Sequence, residues 1–232
     1  MLPYPLIAFL SILVFAGVHL WASRLSHVDP LLHGRVLSIG GGIAIAYVFV
    51  DLLPKLCAAD RVVRESGFFP YIERHVYVLA LCGFLLFFLV DRSKAFPSRN
   101  FTFYLSLASY ALFNFLVGYA VTYQDDPEIQ PLTLFTFAMA LHYFTNDYTL
   151  DRDHGNEYTA YGRWVLISSL FLGWIVGCVV AISPAAIAMV NAFIAGGVIM
   201  NVIRHELPAN TPHSTGSFLF GAALYTIIIL SM

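Results

Sequence analysis

Gly42 to Pro54 reads G-I-A-I-A-Y-V-F-V-D-L-L-P, and a second stretch, Gly196 to Pro208, reads G-G-V-I-M-N-V-I-R-H-E-L-P. They share the leading Gly, an Ile, a Val and the closing Leu-Pro, and each carries an ionisable residue ahead of that ending. Asp51 in the first corresponds to His205 in the second, and Tyr47 to Asn201. Both stretches lie inside apolar runs. A hydrocarbon core takes roughly 20 apolar residues per helix, and the chain divides into eight such runs: Leu6 to Ala22, Val36 to Leu56, His75 to Val90, Phe103 to Tyr123, Pro131 to Leu150, Trp164 to Ile182, Ala185 to Ile203 and Ser217 to Leu230. Breaker residues separate them at Asp29-Pro30, Pro54-Lys55, Asp91-Arg92, Asp126-Pro127, Asp153 to Gly155, Ser183-Pro184 and Pro208 to Pro212. The matched stretches fall in the second and seventh runs, so they cross in opposite directions. That is the mark of an inverted-topology repeat, a plan typical of transporters with a site near the bilayer midplane. Two Gly/Pro-bounded apolar helices can also match by composition alone.

The rest of the composition agrees with a bilayer. Hydrophobic residues make up 59% of the 232 and charged residues 11%, against about 25% charged in soluble domains. Met1 to Pro5 lacks the basic start of a secretory signal, so the first run is expected to be a retained helix. Cys57, Cys82 and Cys178 lie far apart with no C-x-x-C pair, which suggests neither a disulfide framework nor a thiolate zinc site. A net charge of -2 and short connections leave no basic groove for nucleic acid and no appended domain. Lys and Arg gather in the loops after runs 1, 3, 5 and 7, at Arg24, Arg35, Arg92, Lys94, Arg99, Arg152 and Arg163, with Arg204 at the edge of the last. The other side holds Lys55, Arg61, Arg64 and Arg74 in one loop. The positive-inside rule then puts both termini outside, in a cytoplasmic membrane of bacterial inner-membrane type.

Polar residues deep in such runs are the functional candidates, because ionisable groups inside a bilayer are costly to keep. The densest stretch is Met139 to Gly155, M-A-L-H-Y-F-T-N-D-Y-T-L-D-R-D-H-G. His142 and Asn146 share a helix face, and His142 falls near the midplane. Asp151, Asp153, His154 and Glu157 are expected in a solvated cluster at a helix end. Asn114, in L-F-N-F-L-V-G-Y-A, is the strong polar group of the fourth run; its amide needs a partner, either across a helix contact or at the imidazole of His142. At the ends of the repeated stretches stand Asp51, on one mouth of a pathway, and Asn201, His205 and Glu206 on the other. Interfacial water can equally solvate those helix ends, and Arg204 can snorkel.

These features resemble the ZIP (Zrt/Irt-like) divalent metal transporters. The best local matches are Gly40 to Pro54 and Ala195 to Pro208, with the polar pair of runs 4 and 5 between them. The resemblance implies an all-α polytopic bundle of eight transmembrane helices. Helices 1–3 and 6–8 would form an inverted three-helix repeat around helices 4 and 5, in one transmembrane domain (repeat A about 6–90, central helices about 103–150, repeat B about 164–230). Where that family carries H-N-x-x-D-G, this chain has Phe113 to Gly118, keeping Asn and Gly. Where it carries H-E-x-P-H-E, this chain has His142 to Asp147, with Asn146 replacing the second His and Asp147 the last Glu. The His-rich loop between helices 3 and 4 is absent from Asp91 to Asn100.

The resemblance therefore implies one thinned metal site of Asn114, His142, Asn146 and Asp147, harder and weaker than the family's. Asp51, Asn201, His205 and Glu206 would line the pathway. The cargo would be zinc or another divalent cation, with no organic cofactor. The expected partners are that ion and the lipid bilayer, and a homodimer is one assembly open to the chain. Two rivals stand beside transport. One is a membrane-embedded zinc hydrolase; the other is a ZIP-fold scaffold or sensor that no longer transports.

Overall fold

The computed structural model describes residues 4–25, 30–67, 74–93, 99–123, 129–206 and 215–231, apart from the side chains of 23–25, 30–34, 36–37, 99, 129–131 and 205–206. Among the described residues the chain is all-helical. Its α-helices are α1 (Tyr4–Leu25), α2 (Pro30–Ala46), α3 (Leu53–Glu65), α4 (His75–Ser93), α5 (Arg99–Ala120), α6 (Ile129–Glu157), α7 (Arg163–Val179), α8 (Pro184–Asn201) and α9 (Thr215–Leu230). Six stretches are long and apolar enough to cross a membrane: Tyr4–Ala22, Ser38–Glu65, His75–Ser93, Asn100–Ala120, Leu132–Val179 and Pro184–Arg204. Thr215–Leu230 is a shorter apolar helix. Side chains such as Leu89, Leu172, Val179 and Ile227 are largely exposed, which suits a chain whose outer surface meets lipid.

One expected break is continuous helix. Pro54 does not end the second run, because a π-helical segment, Tyr47–Leu52, leads into α3 and places the proline in its first turn. Inside a continuous helix a proline removes one backbone hydrogen bond and crowds the preceding turn, and the wider π turn just before it, with Leu53 N–H reaching back to Val48 O, makes room for the ring. The break expected at Asp153 to Gly155 is present: helix leads up to it from Ile129, and helix resumes beyond it through a second π-helical segment, Tyr158–Gly162, into α7. The kink is at Gly155, where the backbone leaves helical values (φ 13°, ψ −83°). A third π-helical segment, Val202–Glu206, extends α8. The first and third fall inside the two matched sequence stretches; single-turn π segments are frequent at functional positions. The start of α8 follows ordinary capping chemistry: Ser183 Oγ accepts from Ala186 N–H at 3.2 Å and Pro184 occupies the first turn.

Four helix pairs dominate the packing: α2 with α9, α4 with α8, α1 with α6 and α5 with α7. Glycine sets the first two. A Cβ on Gly42 would run into the Phe218 carbonyl and the Ala222 amide of α9, and one on Gly196 into the Ala80 carbonyl and the Phe84 amide of α4. The return contacts match as well. Gly221 abuts the backbone of Ile39, and Gly83 that of Phe193, each three positions before the glycine it complements. Backbones this close gain dispersion contacts that larger residues forbid. The α5–α7 pair is also built on glycine, with Gly118 against Leu170 and Gly173 against Phe115. The α1–α6 pair is built on polar side chains.

Candidate functional site

Helix α6 presents polar groups on two successive faces, since neighbouring residues on a helix lie about 100° apart. On one face stand Tyr143 and Asp147, on the next His142 and Asn146; all four are buried. Each face is met by a polar side chain from a distant part of the chain.

The first face meets His19 of α1, which is 0% exposed. His19 Nδ1 lies 2.6 Å from Asp147 Oδ2, across 128 residues of sequence. Its Nε2 lies 2.8 Å from Asn114 Oδ1 on α5. The Asn114 amide is oriented by its own helix, because Nδ2 donates to the Tyr110 carbonyl at 2.9 Å. Oδ1 is therefore the atom that faces His19, and an amide oxygen only accepts. His19 Nε2 must donate to it, and a second hydrogen lies between Nδ1 and Asp147 Oδ2. The ring nitrogens are thus both engaged, in short bonds of the charge-assisted kind. The imidazole also packs on Tyr143, ring centroids 4.9 Å apart. The Tyr158 hydroxyl donates to the His19 carbonyl at 3.2 Å and lies within electrostatic reach of Asp147. Two buried atoms here have no hydrogen-bond partner among the described residues, Asp147 Oδ1 and the Tyr143 hydroxyl. They sit one helical turn apart.

The second face meets Asn201 of α8, 3% exposed. Its Nδ2 donates to Asn146 Oδ1 at 3.0 Å and approaches His142 Nε2 at 3.3 Å. With the amide so placed, His142 Nε2 is an acceptor and the imidazole is neutral. Phe113 packs against both faces, its ring 5.5 Å from His142 and 6.1 Å from Tyr143.

The four residues expected to form one metal site are therefore held two by two. His19 engages Asp147 and Asn114, while Asn201 engages His142 and Asn146. Asn114 faces His19 and not His142. Asn201, expected at a pathway mouth, belongs to the buried centre. Asp51 sits partly buried in the first π segment, bonded at 2.8 Å to Lys55. The side chains of His205 and Glu206 lie outside the described residues. His154, expected in a solvated cluster, is instead buried against Phe103 with centroids 4.9 Å apart, because the turn of α6 that carries it packs on α5. The residue missed from sequence is His19. Its signal was a single imidazole in an otherwise apolar run, which in a bilayer is a functional candidate by default.

Among the described residues no three His, Cys, Asp or Glu side chains gather as a metal-binding group. The centre offers one carboxylate, one neutral imidazole and amide oxygens. That donor set suits a hard, oxygen-seeking cation better than a soft one. A cavity of about 340 Å³ lies on the α3 side, walled by Tyr47, Lys55, Tyr123, Phe135 and Asn191 among others. Cys57, Cys82 and Cys178 are exposed and free. In comparisons with known proteins, the chain matches no family model, no curated protein sequence and no solved structure.

Proposed function

We propose that the chain is a ZIP-like membrane transporter that carries a divalent cation by alternating access. The observation that carries this reading is the paired glycine contact. Gly42 and Gly196, equivalent in the sequence match, each seat a backbone of a different helix in the same way, and Gly221 and Gly83 return the contact. An inverted repeat requires such correspondence, and two helices alike only in composition do not. The exchange of helices 1, 2, 3 and 4 for 6, 7, 8 and 5 also turns the α1–α6 pair into the α7–α5 pair. Eight passes follow if Leu132–Val179, 48 residues, crosses twice. At 1.5 Å per residue it spans about 72 Å, over twice the roughly 30 Å of a hydrocarbon core, and the Gly155 kink divides it.

In this reading the cation enters from the α3 side, where Asp51 neutralises Lys55 beside the cavity. It is held at the centre by Asp147 with Asn114, His142 and Asn146, and leaves past His205 and Glu206. The glycine-seated pairs α2–α9 and α4–α8 move as bodies against α5 and α6. The excess of Lys and Arg in the loops after runs 1, 3, 5 and 7 supports an orientation with both termini outside a cytoplasmic membrane.

The test is uptake by liposomes holding the purified chain. Entry of Mn²⁺ or Zn²⁺ should fall to background in Asp147→Ala and by about tenfold or more in His142→Ala, the loss of one coordinating ligand. Uptake of neither ion by the parent, or parent-like uptake by both variants, refutes it. One observation favours a second reading, a non-transporting scaffold or sensor: the acceptor atoms needed for a cation are already bonded within the protein. Melting indifferent to divalent metal and to chelator, with no uptake, is the result that reading expects.

A further inference from the structure

We infer that His19 is an internal occupant of the cation site, competing with a divalent ion for Asp147 and Asn114 and so setting the affinity and selectivity of the centre. The inference rests on the transporter reading for its physiological meaning, but its binding chemistry can be tested without transport.

Three observations lead to it. First, the His19 ring lies between two oxygens from different helices, Asp147 Oδ2 at 2.6 Å and Asn114 Oδ1 at 2.8 Å. Those are the oxygens a hard cation would take, so ring and ion exclude each other. Second, the ring brings two N–H directions in one rigid plane, and acceptors meet both. An amide oxygen turned inward by the Tyr110 carbonyl is then satisfied by His19 as it would be by a cation. Third, the site keeps unspent capacity. Asp147 Oδ1 and the Tyr143 hydroxyl are buried with no partner among the described residues. A carboxylate with one oxygen bonded to His19 and the other without a hydrogen-bond partner can close on an ion that takes Oδ2 and Asn114 Oδ1 once the imidazole swings away, and the Tyr143 hydroxyl belongs to the same face of α6.

The chemistry then names the cargo class. With the imidazole displaced, the first face offers a carboxylate, an amide oxygen and a phenol oxygen. Oxygen donors favour Mg²⁺ or Mn²⁺ over the softer Zn²⁺. Each ion bound must break two short hydrogen bonds to His19, so parent affinity is low and exchange is easy, as a carrier needs. Because His19 is tethered, its effective concentration at the site is fixed, so it lowers the apparent ion affinity by a constant factor.

Mn²⁺ binding by the purified full-length chain in detergent tests this, measured by the loss of the free-ion electron paramagnetic resonance signal. His19→Ala should bind Mn²⁺ at least about tenfold more tightly than the parent, a difference of about 1.4 kcal/mol. Adding Asp147→Asn should abolish the gain. Imidazole in the buffer should restore parent-like affinity to His19→Ala, which general loosening of the fold would not do. If His19→Ala does not fold, His19→Gln is measured instead; with one donor group in place of two it should bind with intermediate affinity. Equal or weaker Mn²⁺ binding by the folded variant, or tighter binding that survives Asp147→Asn, overturns the inference. The outcomes separate it from the transporter reading. Parent uptake with unchanged His19→Ala affinity removes the inference alone; tighter His19→Ala binding with no parent uptake removes transport alone.

Discussion

The two faces of α6 solve the same problem with different chemistry. On the Asp147 face a carboxylate is buried, and the chain answers with an imidazole that bonds at 2.6 and 2.8 Å to groups on two helices. On the His142 face nothing charged is present, and one amide serves two acceptors at 3.0 and 3.3 Å. The first arrangement is short, has little slack and joins α1, α5 and α6. The second is longer and joins only α6 and α8. Where charge is buried the geometry has to be tight, because an ion in a low dielectric that loses its partner has nothing to replace it. Where only dipoles are buried, a longer contact is tolerated.

The largest effect should come from breaking the tight face. His19→Ala leaves the Asp147 carboxylate without its donor and is expected to cost about 3–5 kcal/mol of stability, as removal of one member of a buried pair does. Replacing both members together, His19→Leu with Asp147→Leu, should recover most of that loss, because two apolar side chains need no partner. Reversible unfolding in mixed detergent micelles gives both numbers. A double variant as unstable as His19→Ala would mean that packing around the ring, and not the pair, sets the cost.

The loose face should respond less. Asn201→Leu removes the donor to His142 Nε2 and Asn146 Oδ1 and leaves neutral acceptors buried, at a cost of about 1–3 kcal/mol. The same unfolding assay reads it. If Asn201→Leu costs as much as His19→Ala, the distinction between the faces is wrong, and the His142 face must carry charge as well.

Sequence made parts of this legible and hid others for physical reasons. Apolar runs and breaker residues made an all-helical membrane chain legible, because a helix in lipid must satisfy its backbone within itself, but the runs expected to end at Leu56 and Leu150 continue as helix to Glu65 and Glu157. The correspondence of Gly42 with Gly196 was visible because close backbone approach demands glycine at both places. The kink at Gly155 was legible from the Asp153 to Gly155 breaker, whereas continuity through Pro54 was not, since a proline ordinarily ends a helix and only the π segment before α3 accommodates it. Within the site, His142, Asn146 and Asp147 were found because one helix carries them. Their pairing was not: His19 went unnamed and Asn201 was expected at a pathway mouth, because the two reach α6 from sequence distances of 128 and 55 residues. No spacing rule connects residues so far apart.

The smallest effect isolates what charge adds to the α1–α6 contact. Thr136 Oγ1 of α6 lies 2.7 Å from Ser11 Oγ of α1, on the same helix pair that His19 and Asp147 join. Both hydroxyls also reach carbonyls of their own helices, Thr136 at Leu132 O, 2.7 Å away, and Ser11 at Ile7 O, 3.0 Å away. A hydroxyl has one hydrogen, so Thr136 cannot donate fully to both Ser11 and Leu132, and when the interhelical bond is lost each group keeps an acceptor one turn back. Thr136→Val preserves shape and removes only the hydroxyl. It should cost about 0.6 kcal/mol, the average for an interhelical hydrogen bond in a membrane bundle. If the measured loss approaches that of His19→Ala, any polar contact between α1 and α6 is critical and the buried pair has no special weight. If it stays near the average, the strength of this helix contact resides in His19 and Asp147, the two side chains that a bound cation would have to separate.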